Sequence, residues 1–333
     1  MAKRVRIGLI GCGGFMHSHA EGLKSVRSAQ VAALADTSEA SLKRMVEQHP
    51  DFAELPAFSD YREMIAEVDL DGVIIATPHT LHYEHIMACL DRGLHVLTEK
   101  PMVTSVKDAK MVMRKAARKK RILMIGYQRH FSPAFRGARQ LIAEGNIGRV
   151  TYIAALQGQE WLRGTRGTWR QDPELSGGGQ LNDSASHLLD IILWVTDLPP
   201  ASIYAEIDNR GARVDINSSL TVRFKGGAIA SIAVVGDAPS WWEDVAYYGE
   251  KGALYLRRDR ILLQLPNPKG WGATTEDVTG RLKYKGNADK NFVDSILGRD
   301  EPQTPPIWGL RVIQVTEAAW ESARSGRPAR VKQ

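Results

Sequence analysis

The chain has 333 residues and a formal net charge of +6, with 44 Lys and Arg against 38 Asp and Glu. Its composition, 43% hydrophobic and 25% charged, is typical of a soluble globular protein of about two domains. No stretch approaches the ~20 apolar residues that span a bilayer, and the start of the chain lacks a signal-peptide pattern, so we expect no membrane partner.

The first part of the chain alternates predicted strands and helices. We predict strands at Arg4–Ile10, Gln30–Ala35, Gly72–Ala76, His95–Leu97 and Ile122–Gly126. We predict helices at Ser18–Ser28, Ser38–Gln48, Asp60–Val68, Thr80–Arg92 and Val106–Lys119. This alternation is typical of right-handed β–α–β units and predicts an α/β domain with a parallel sheet over residues 1–125.

One predicted helix carries most of the net charge. Residues 107–121 hold eight Lys or Arg and one Asp, so the rest of the chain is close to neutral. Apolar residues recur at helical spacing through this segment, and its charges are most simply the solvated face of an amphipathic helix. We therefore expect no nucleic-acid partner.

The pattern changes after residue 126. A predicted helix, Pro133–Glu144, precedes a strand at Val150–Leu156, a polar loop at 158–179 and a helix at Leu181–Val195. Further predicted strands follow at Ser202–Ile207, Ser219–Phe224, Ala228–Val235, Val245–Tyr248, Ala253–Leu256 and Ile261–Leu265, with a hairpin turn at Gly226-Gly227 and a last helix at Gly309–Ser325. This order predicts an α+β domain with an antiparallel sheet over residues 126–333.

A glycine-rich turn follows the first predicted strand. Gly11 and Gly13 stand between a strand and a helix, as in dinucleotide-binding turns, although the third glycine position holds Met16. Asp36 follows the second predicted strand, near the spacing of the acid that binds an adenosine ribose; a helix N-cap or a solvated loop acid is the alternative. Its carboxylate would repel a 2′-phosphate, which favours NAD over NADP.

Three further residues are candidates for chemistry. Lys100 follows a short buried strand, and ligands of open α/β sheets bind at the carboxyl ends of strands. Asp183 and His187 are spaced i, i+4, which predicts that they share one face of an interior helix. A buried Asp/His pair is costly unless it is partnered, so it is either a site or a satisfied structural pair.

A metal site is the less favoured interpretation of the histidines. His79, His82 and His85 are spaced i, i+3, i+6, but residues six apart diverge around a helix. No Cys or acid stands at a suitable spacing beside them. We predict no metal.

Five motifs in this order resemble the Gfo/Idh/MocA oxidoreductases. They are Gly11-x-Gly13-Gly14, Ala76-Thr77-Pro78-x-x-x-His82, Gly93-x-His95-Val96-x-x-Glu99-Lys100-Pro101, Tyr127-Gln128-Arg129-x-Phe131-x-Pro133 and Gly178-Gly179-x-x-x-Asp183-x-x-x-His187-x-x-Asp190. The resemblance implies an N-terminal Rossmann doubly wound parallel sheet and a C-terminal domain with a large, open, mostly antiparallel sheet used for dimer or tetramer contacts. It also implies catalysis by Lys100, Asp183 and His187 at the domain interface. Met16 and His79 depart from the family's usual residues.

The motifs and the resemblance together give two sets of expected site residues. The cofactor set is Gly11, Gly13, Gly14, Phe15, Met16, Asp36, Thr37, Thr77, Pro78, His79, His82, Glu99, Lys100 and Gln128. The substrate set is Lys100, Tyr127, Arg129, Trp161, Arg163, Trp169, Arg170, Asn182, Asp183 and His187. The tryptophans offer flat faces for a sugar ring unless they are core residues, whereas the arginines would suit an acidic ligand.

The expected function is hydride transfer between NAD(P) and a secondary alcohol or ketone of a sugar, sugar derivative or cyclic polyol. His187 is the better-suited base, although Asp183 stays open as the proton acceptor; Asp183 would otherwise orient His187 or hold a neighbouring hydroxyl, and Lys100 would donate a hydrogen bond to the reacting oxygen. A non-catalytic NAD-sensing regulator, an NAD-dependent glycoside hydrolase and an imine or enamide reductase stay open as alternatives. With only Cys12 and Cys89, and Cys12 in the glycine turn, we expect a reduced, cytoplasmic protein.

Overall fold

The computed structural model describes residues 4–257, 260–281 and 283–332. The chain divides into two compact units, Met1–Gln128 with Gly286–Leu310, and Arg129–Lys285 with Arg311–Gln333. The domain boundary predicted from the sequence places residues 286–310 in the second domain. In the structure they join the first unit, because Asp289 in this segment hydrogen-bonds to His19 near the start of the chain.

The first unit contains a parallel sheet. Its strands in the described residues are β1 Val5–Ile10, β2 Ala29–Ala35, β3 Ala57–Phe58, β4 Gly72–Ile75, β5 His95–Thr98 and β6 Leu123–Ile125. They lie in the order β3-β2-β1-β4-β5-β6, and every neighbouring pair is parallel. This is the doubly wound order of dinucleotide-binding folds, so the predicted Rossmann architecture is confirmed. All four residues of β4 are buried, as expected for a strand covered on both faces.

Helices connect these strands. They are α1 Met16–Lys24, α2 Glu39–Gln48, α3 Tyr61–Glu67, α4 His82–Asp91 and α5 Val106–Lys119. Ser38, Asp60 and Ser105 each cap a helix by accepting a hydrogen bond from a backbone N–H in its first turn. Helix α4 is preceded by a 3₁₀ turn at His79–Leu81, so the predicted helix Thr80–Arg92 is two elements in the structure.

The second unit contains a larger sheet. Its strands in the described residues are β7 Val150–Gly158, β8 Pro200–Asp208, β9 Asn217–Phe224, β10 Ile229–Val235, β11 Trp242–Gly249, β12 Ala253–Arg257, β13 Arg260–Pro266, β14 Ala273–Asp277 and β15 Ala329–Arg330. Their order is β14-β13-β12-β11-β7-β10-β9-β8-β15, and all pairs are antiparallel except β7 with β10. The predicted mostly antiparallel sheet is confirmed, with β14 and β15 as strands that the pattern did not indicate.

The remaining helices are α6 Pro133–Ala143, α7 Trp161–Gly164, α8 Pro173–Ser176, α9 Ser186–Thr196, α10 Ala288–Ile296 and α11 Pro306–Ser325. Helices α6 and α9 pack against each other, and nearly every residue of α9 is buried. The segment predicted as a polar loop contains the short helices α7 and α8. Among the described residues, no helix is both long and apolar enough to cross a membrane.

Candidate functional site

The glycine turn after β1 has the geometry that a bound pyrophosphate requires. Gly11 has a φ of +85°, and a Cβ there would lie 2.8 Å from the backbone of Ala76. Gly13 and Gly14 have no heavy atom within 4 Å of a Cβ position, so their surface is open to a ligand. Helix α1 begins at Met16, directly after the turn, and helix N-termini bind anions. These residues fit the phosphate part of a dinucleotide.

Asp36 lies beside this turn at the carboxyl end of β2. Its Oδ2 accepts a hydrogen bond from the Cys12 N–H (2.7 Å), and its Oδ1 accepts one from the Ser38 N–H (2.8 Å). The N-cap of α2 is Ser38, so Asp36 does not serve as a cap. Burial, with a further contribution from the Asp36 charge, raises the pKa of Cys12 to about 12. The fixed carboxylate fits the ribose-binding position, next to the exposed Thr37.

His82 links the loops that follow β4 and β5. Its Nδ1 lies 2.8 Å from the carbonyl oxygen of Pro101, and its Nε2 lies 2.9 Å from that of Thr77. The side chain is fully buried, and burial lowers its pKa. His85 contacts the Thr77 hydroxyl instead (3.0 Å).

No group of three His, Cys, Asp or Glu in the described part of the chain could hold a metal ion.

Lys100 stands at the carboxyl end of β5, after the buried Glu99. One oxygen of Glu99, Oε2, accepts the Lys100 N–H (3.2 Å), while Oε1 accepts the Gln128 amide (2.9 Å) and lies 3.1 Å from His19 Nε2. The Lys100–Pro101 peptide bond is cis. The Glu99 carboxylate is thus occupied by protein donors and holds the backbone beside Lys100.

The second unit holds Asp183 and His187. The Asp183 carboxylate is buried, and its Oδ2 accepts hydrogen bonds from Trp161 Nε1 (2.9 Å) and Arg170 Nε (3.1 Å). His187 lies in the first turn of α9, whereas Asp183 lies in the turn before it. The prediction that both lie on one helix is therefore wrong: the helix begins only at Ser186, and in the preceding turn the Ala185 N–H bonds to the Gln180 carbonyl, five residues back (2.9 Å).

A buried carboxylate fixes this turn. Asp215 accepts the N–H groups of Gly179 (2.9 Å) and Leu181 (2.7 Å) and the indole N–H of Trp320 (3.1 Å). A Cβ on Gly179 would overlap the backbone of Asp215, so glycine is required at this position. Sequence reasoning missed Asp215, since it stands outside the motifs and carries no local pattern.

Several residues expected to contact substrate have protein partners. Arg129 forms a bidentate pair with Glu243, at 2.7 and 2.9 Å. Arg163 pairs with Glu160, and Arg170 lies over the Trp169 ring, 4.5 Å from its centroid.

Three other expected substrate residues are closed off from solvent. Trp161 packs against Val214 and Ile216 in a buried cluster, so the core alternative holds for this tryptophan. Tyr127 is fully buried, and the buried Asn182 donates its amide to the Ser176 carbonyl (3.3 Å). In this structure these side chains form the support of the candidate site and offer no open face to a ligand.

The doubly wound sheet, the open glycine turn and the fixed acid after β2 define an NAD-binding Rossmann oxidoreductase. Residues 5–127 match the family described as an oxidoreductase family with an NAD-binding Rossmann fold, and residues 135–255 match the Gfo/Idh/MocA C-terminal domain. The chain therefore belongs to the Gfo/Idh/MocA family, and the predicted resemblance and the NAD cofactor are confirmed.

Relatives of the chain include proteins named as dehydrogenases. The chain is 28% identical over 236 residues to 1-carboxy-3-chloro-3,4-dihydroxycyclohexa-1,5-diene dehydrogenase of Comamonas testosteroni, covering 70% of this chain and 58% of that protein. It is 26% identical over 334 residues to inositol 2-dehydrogenase of Acidothermus cellulolyticus, covering 97% and 94%. The fold matches the WlbA dehydrogenase of Bordetella pertussis in complex with NADH and UDP-GlcNAcA, with a TM-score of 0.86, 22% identity and coverage of 100% and 99%. These relatives agree with the assignment of the chain to an NAD-binding oxidoreductase family.

Proposed function

We propose that this protein oxidises a secondary alcohol of a sugar, a sugar derivative or a cyclic polyol with NAD⁺, and that Lys100, Asp183 and His187 carry the reaction. The observation that carries this proposal is the position of Lys100. It follows β5 at the carboxyl edge of the parallel sheet, the same edge at which Gly11 and Thr77 follow β1 and β4. Ligands of doubly wound sheets bind at this edge.

The three residues have distinct roles. When bound, NAD⁺ supplies the hydride acceptor. His187 in its neutral form takes the hydroxyl proton as the carbon–hydrogen bond breaks, because a neutral imidazole nitrogen can accept a proton as a general base. Lys100 donates a hydrogen bond to the same oxygen and stabilises its developing negative charge. The products are a ketone, NADH and the proton on His187.

Asp183 is suited to orientation more than to proton transfer. Two donors, the indole of Trp161 and the guanidinium of Arg170, already hold one of its oxygens. We propose that Asp183 orients His187 or a neighbouring substrate hydroxyl.

The arginines support an uncharged substrate. Arg129, Arg163 and Arg170 each pair with a carboxylate of the protein. An anionic substrate would have to compete with these partners, whereas a polyol exchanges hydrogen bonds without displacing them.

A coupled screen and variant series tests the proposal. NAD⁺ and NADP⁺ reduction is followed at 340 nm across inositols, aldoses, sugar acids and anhydrosugars. With a substrate in hand, Lys100→Ala lowers kcat by about 10²–10³-fold, the usual effect of removing one donor to a developing oxyanion. Lys107→Ala, a change of an exposed lysine on α5, is the matched control and leaves kcat unchanged. Full activity of Lys100→Ala would contradict the assignment.

We also propose that the protein is a cytoplasmic homodimer or homotetramer that associates through its large sheet. One face of this sheet is packed inside, whereas the other exposes Tyr152, Leu156, Tyr204 and Tyr248. A depression of about 300 Å³ on that face is lined by residues of β7, β10, β11 and β12. Exposed apolar faces of this kind commonly mark interfaces. Both cysteines are free and buried, which supports a reducing compartment.

A further inference from the structure

A buried chain of ionisable side chains in the first unit lies outside the roles described so far. It runs from Asp289 on α10 through His19 on α1 to Glu99. His19 Nδ1 lies 2.6 Å from Asp289 Oδ1, and His19 Nε2 lies 3.1 Å from Glu99 Oε1. The three residues are 6%, 3% and 6% exposed. Nothing in the sequence motifs indicated that Asp289 reaches this position.

The geometry indicates that His19 is an imidazolium. Each ring nitrogen faces a carboxylate oxygen, and only the protonated ring can donate from both nitrogens. Burial by itself lowers the pKa of His19, but the charges and hydrogen bonds of Asp289 and Glu99 outweigh it and raise the pKa to about 10. The imidazolium of His19 therefore lies between the carboxylates of Asp289 and Glu99, so that each buried charged group has a partner of opposite charge.

Two glycines make room for this chain. A Cβ on Gly22 of α1 would overlap the Asp289 carboxylate, and a Cβ on Gly126 after β6 would overlap the Glu99 carboxylate. Neither glycine has a positive φ, so the need at these positions is for space and not for an unusual backbone. The backbone is thus shaped around both carboxylates at the two ends of the chain.

The series of buried contacts from Asp289 through His19 and Glu99 ends at the backbone N–H of Lys100. Glu99 Oε1 is shared by His19 and Gln128, while Oε2 accepts the Lys100 N–H at 3.2 Å. A Glu99 carboxylate that loses His19 loses its charged donor in a site closed to water. Rotation of the carboxylate would then release the Lys100 amide.

We propose that Asp289 and His19 are positioning residues, which hold Glu99 and through it the segment that presents Lys100. This inference rests on the proposed function, because it gives the chain a purpose in the alcohol oxidation. It also assigns a task to α10, which stands late in the sequence but belongs to the first unit.

The first test compares Asp289→Asn with Asp294→Asn. Both acids lie on α10. Asp294, however, pairs with Lys290 and Arg299, and its described side-chain contacts include neither His19 nor Glu99. We expect Asp289→Asn to lower kcat by about 10–100-fold, as misplacement by ~1 Å does, with KM for NAD⁺ changed less than about threefold. Asp294→Asn should keep the wild-type kcat and pH profile.

The pH profile separates positioning from a structural role. Wild-type His19 loses its proton only near pH 10. Without the Asp289 charge the pKa of His19 falls, and kcat of Asp289→Asn should gain a limb that declines as pH rises, at lower pH than in the wild type. A variant that is merely less stable would yield less folded enzyme with the wild-type profile, and this result would overturn the inference.

A second measurement needs no variant and no substrate. ¹⁵N-labelled histidine spectra of the wild-type protein report the charge of His19 directly. We expect an imidazolium from pH 6 to 9; a neutral His19 at pH 8 would refute the chain. If no alcohol reduces NAD⁺ while His19 is found charged, the proposed function fails and the ionic chain stands, so the two ideas can be judged apart.

Discussion

The turn that carries Asp183 provides the sharpest prediction, through the variant Asp215→Asn. Asp215 accepts three N–H groups: Oδ1 accepts those of Gly179 and Trp320, and Oδ2 accepts that of Leu181. The side chain is 6% exposed, and burial raises its pKa. Asparagine has almost the same shape but offers only one oxygen.

The expected loss in the free energy of unfolding follows from the number of N–H donors that Asp215 accepts. In its better orientation, the asparagine oxygen keeps the bonds from Gly179 and Trp320 and turns its NH₂ toward the Leu181 N–H. One hydrogen bond to a charged group is lost, a loss of ~1.5–3 kcal/mol, and the buried Leu181 donor is left facing another donor, which costs ~1–3 kcal/mol more. Relief from burying a charge offsets part of this. We expect a net loss of about 3 kcal/mol in the free energy of unfolding, or roughly 4 °C in Tm for a chain of 333 residues.

The assay is thermal and urea unfolding of the two proteins, with kcat measured on the folded fraction. Asp208→Asn is the matched control, because Asp208 is exposed and pairs only with Arg210 in the described contacts; its effect should stay within ~0.5 kcal/mol. Loosening of the turn should also lower kcat of Asp215→Asn, since Asp183 is two residues beyond Leu181. A stability equal to wild type would refute the reasoning that the three bonds hold the turn.

Two further predictions concern the cofactor and the sheet. Asp36→Ser should raise the ratio of kcat/KM for NADP⁺ to that for NAD⁺ by at least about tenfold, because the carboxylate repels a 2′-phosphate; steady-state kinetics with both cofactors checks this, and an unchanged ratio would contradict the assigned ribose position. Leu156→Asp should shift the protein to a smaller species in light scattering coupled to gel filtration, since it places a charge on the exposed sheet face. Thr151→Asp, at the end of the same strand, is the control. An unchanged mass of the Leu156→Asp variant would exclude this face as the interface.

Periodicity in the sequence was enough to predict the alternation of strands and helices in the first unit, although the two-residue strand β3 was not indicated. The buried run of β4, the basic amphipathic helix α5 and the N-cap Asp60 all follow from local patterns, and the structure has each of them. Local sequence patterns predicted the ends of elements less well where contacts between distant residues determine them. Helix α9 begins later than predicted because Asp215 holds the preceding residues in a turn, and no helix signal near Leu181 reveals an acceptor that lies 34 residues further on.

The site was predictable to the extent that its residues stand in ordered motifs. Gly11, Asp36 and Lys100 lie at strand ends, and strand ends can be located from the sequence. The environment of each side chain was not predictable. Trp161 was expected to offer a flat face, but only the fold shows that its indole N–H supports Asp183.

Each unit fixes one of its candidate reactive groups by the same means. A carboxylate from a distant segment, Asp289 in the first unit and Asp215 in the second, enters a buried position and anchors the loop beside Lys100 or Asp183. A carboxylate accepts several donors at once, so one buried side chain can fix several groups of a loop. The partners of the two carboxylates differ in charge. Asp289 contacts the His19 imidazolium, whereas Asp215 accepts uncharged N–H groups. High pH should therefore loosen the Lys100 segment, where a proton can be lost from His19, before it affects the turn of Asp183.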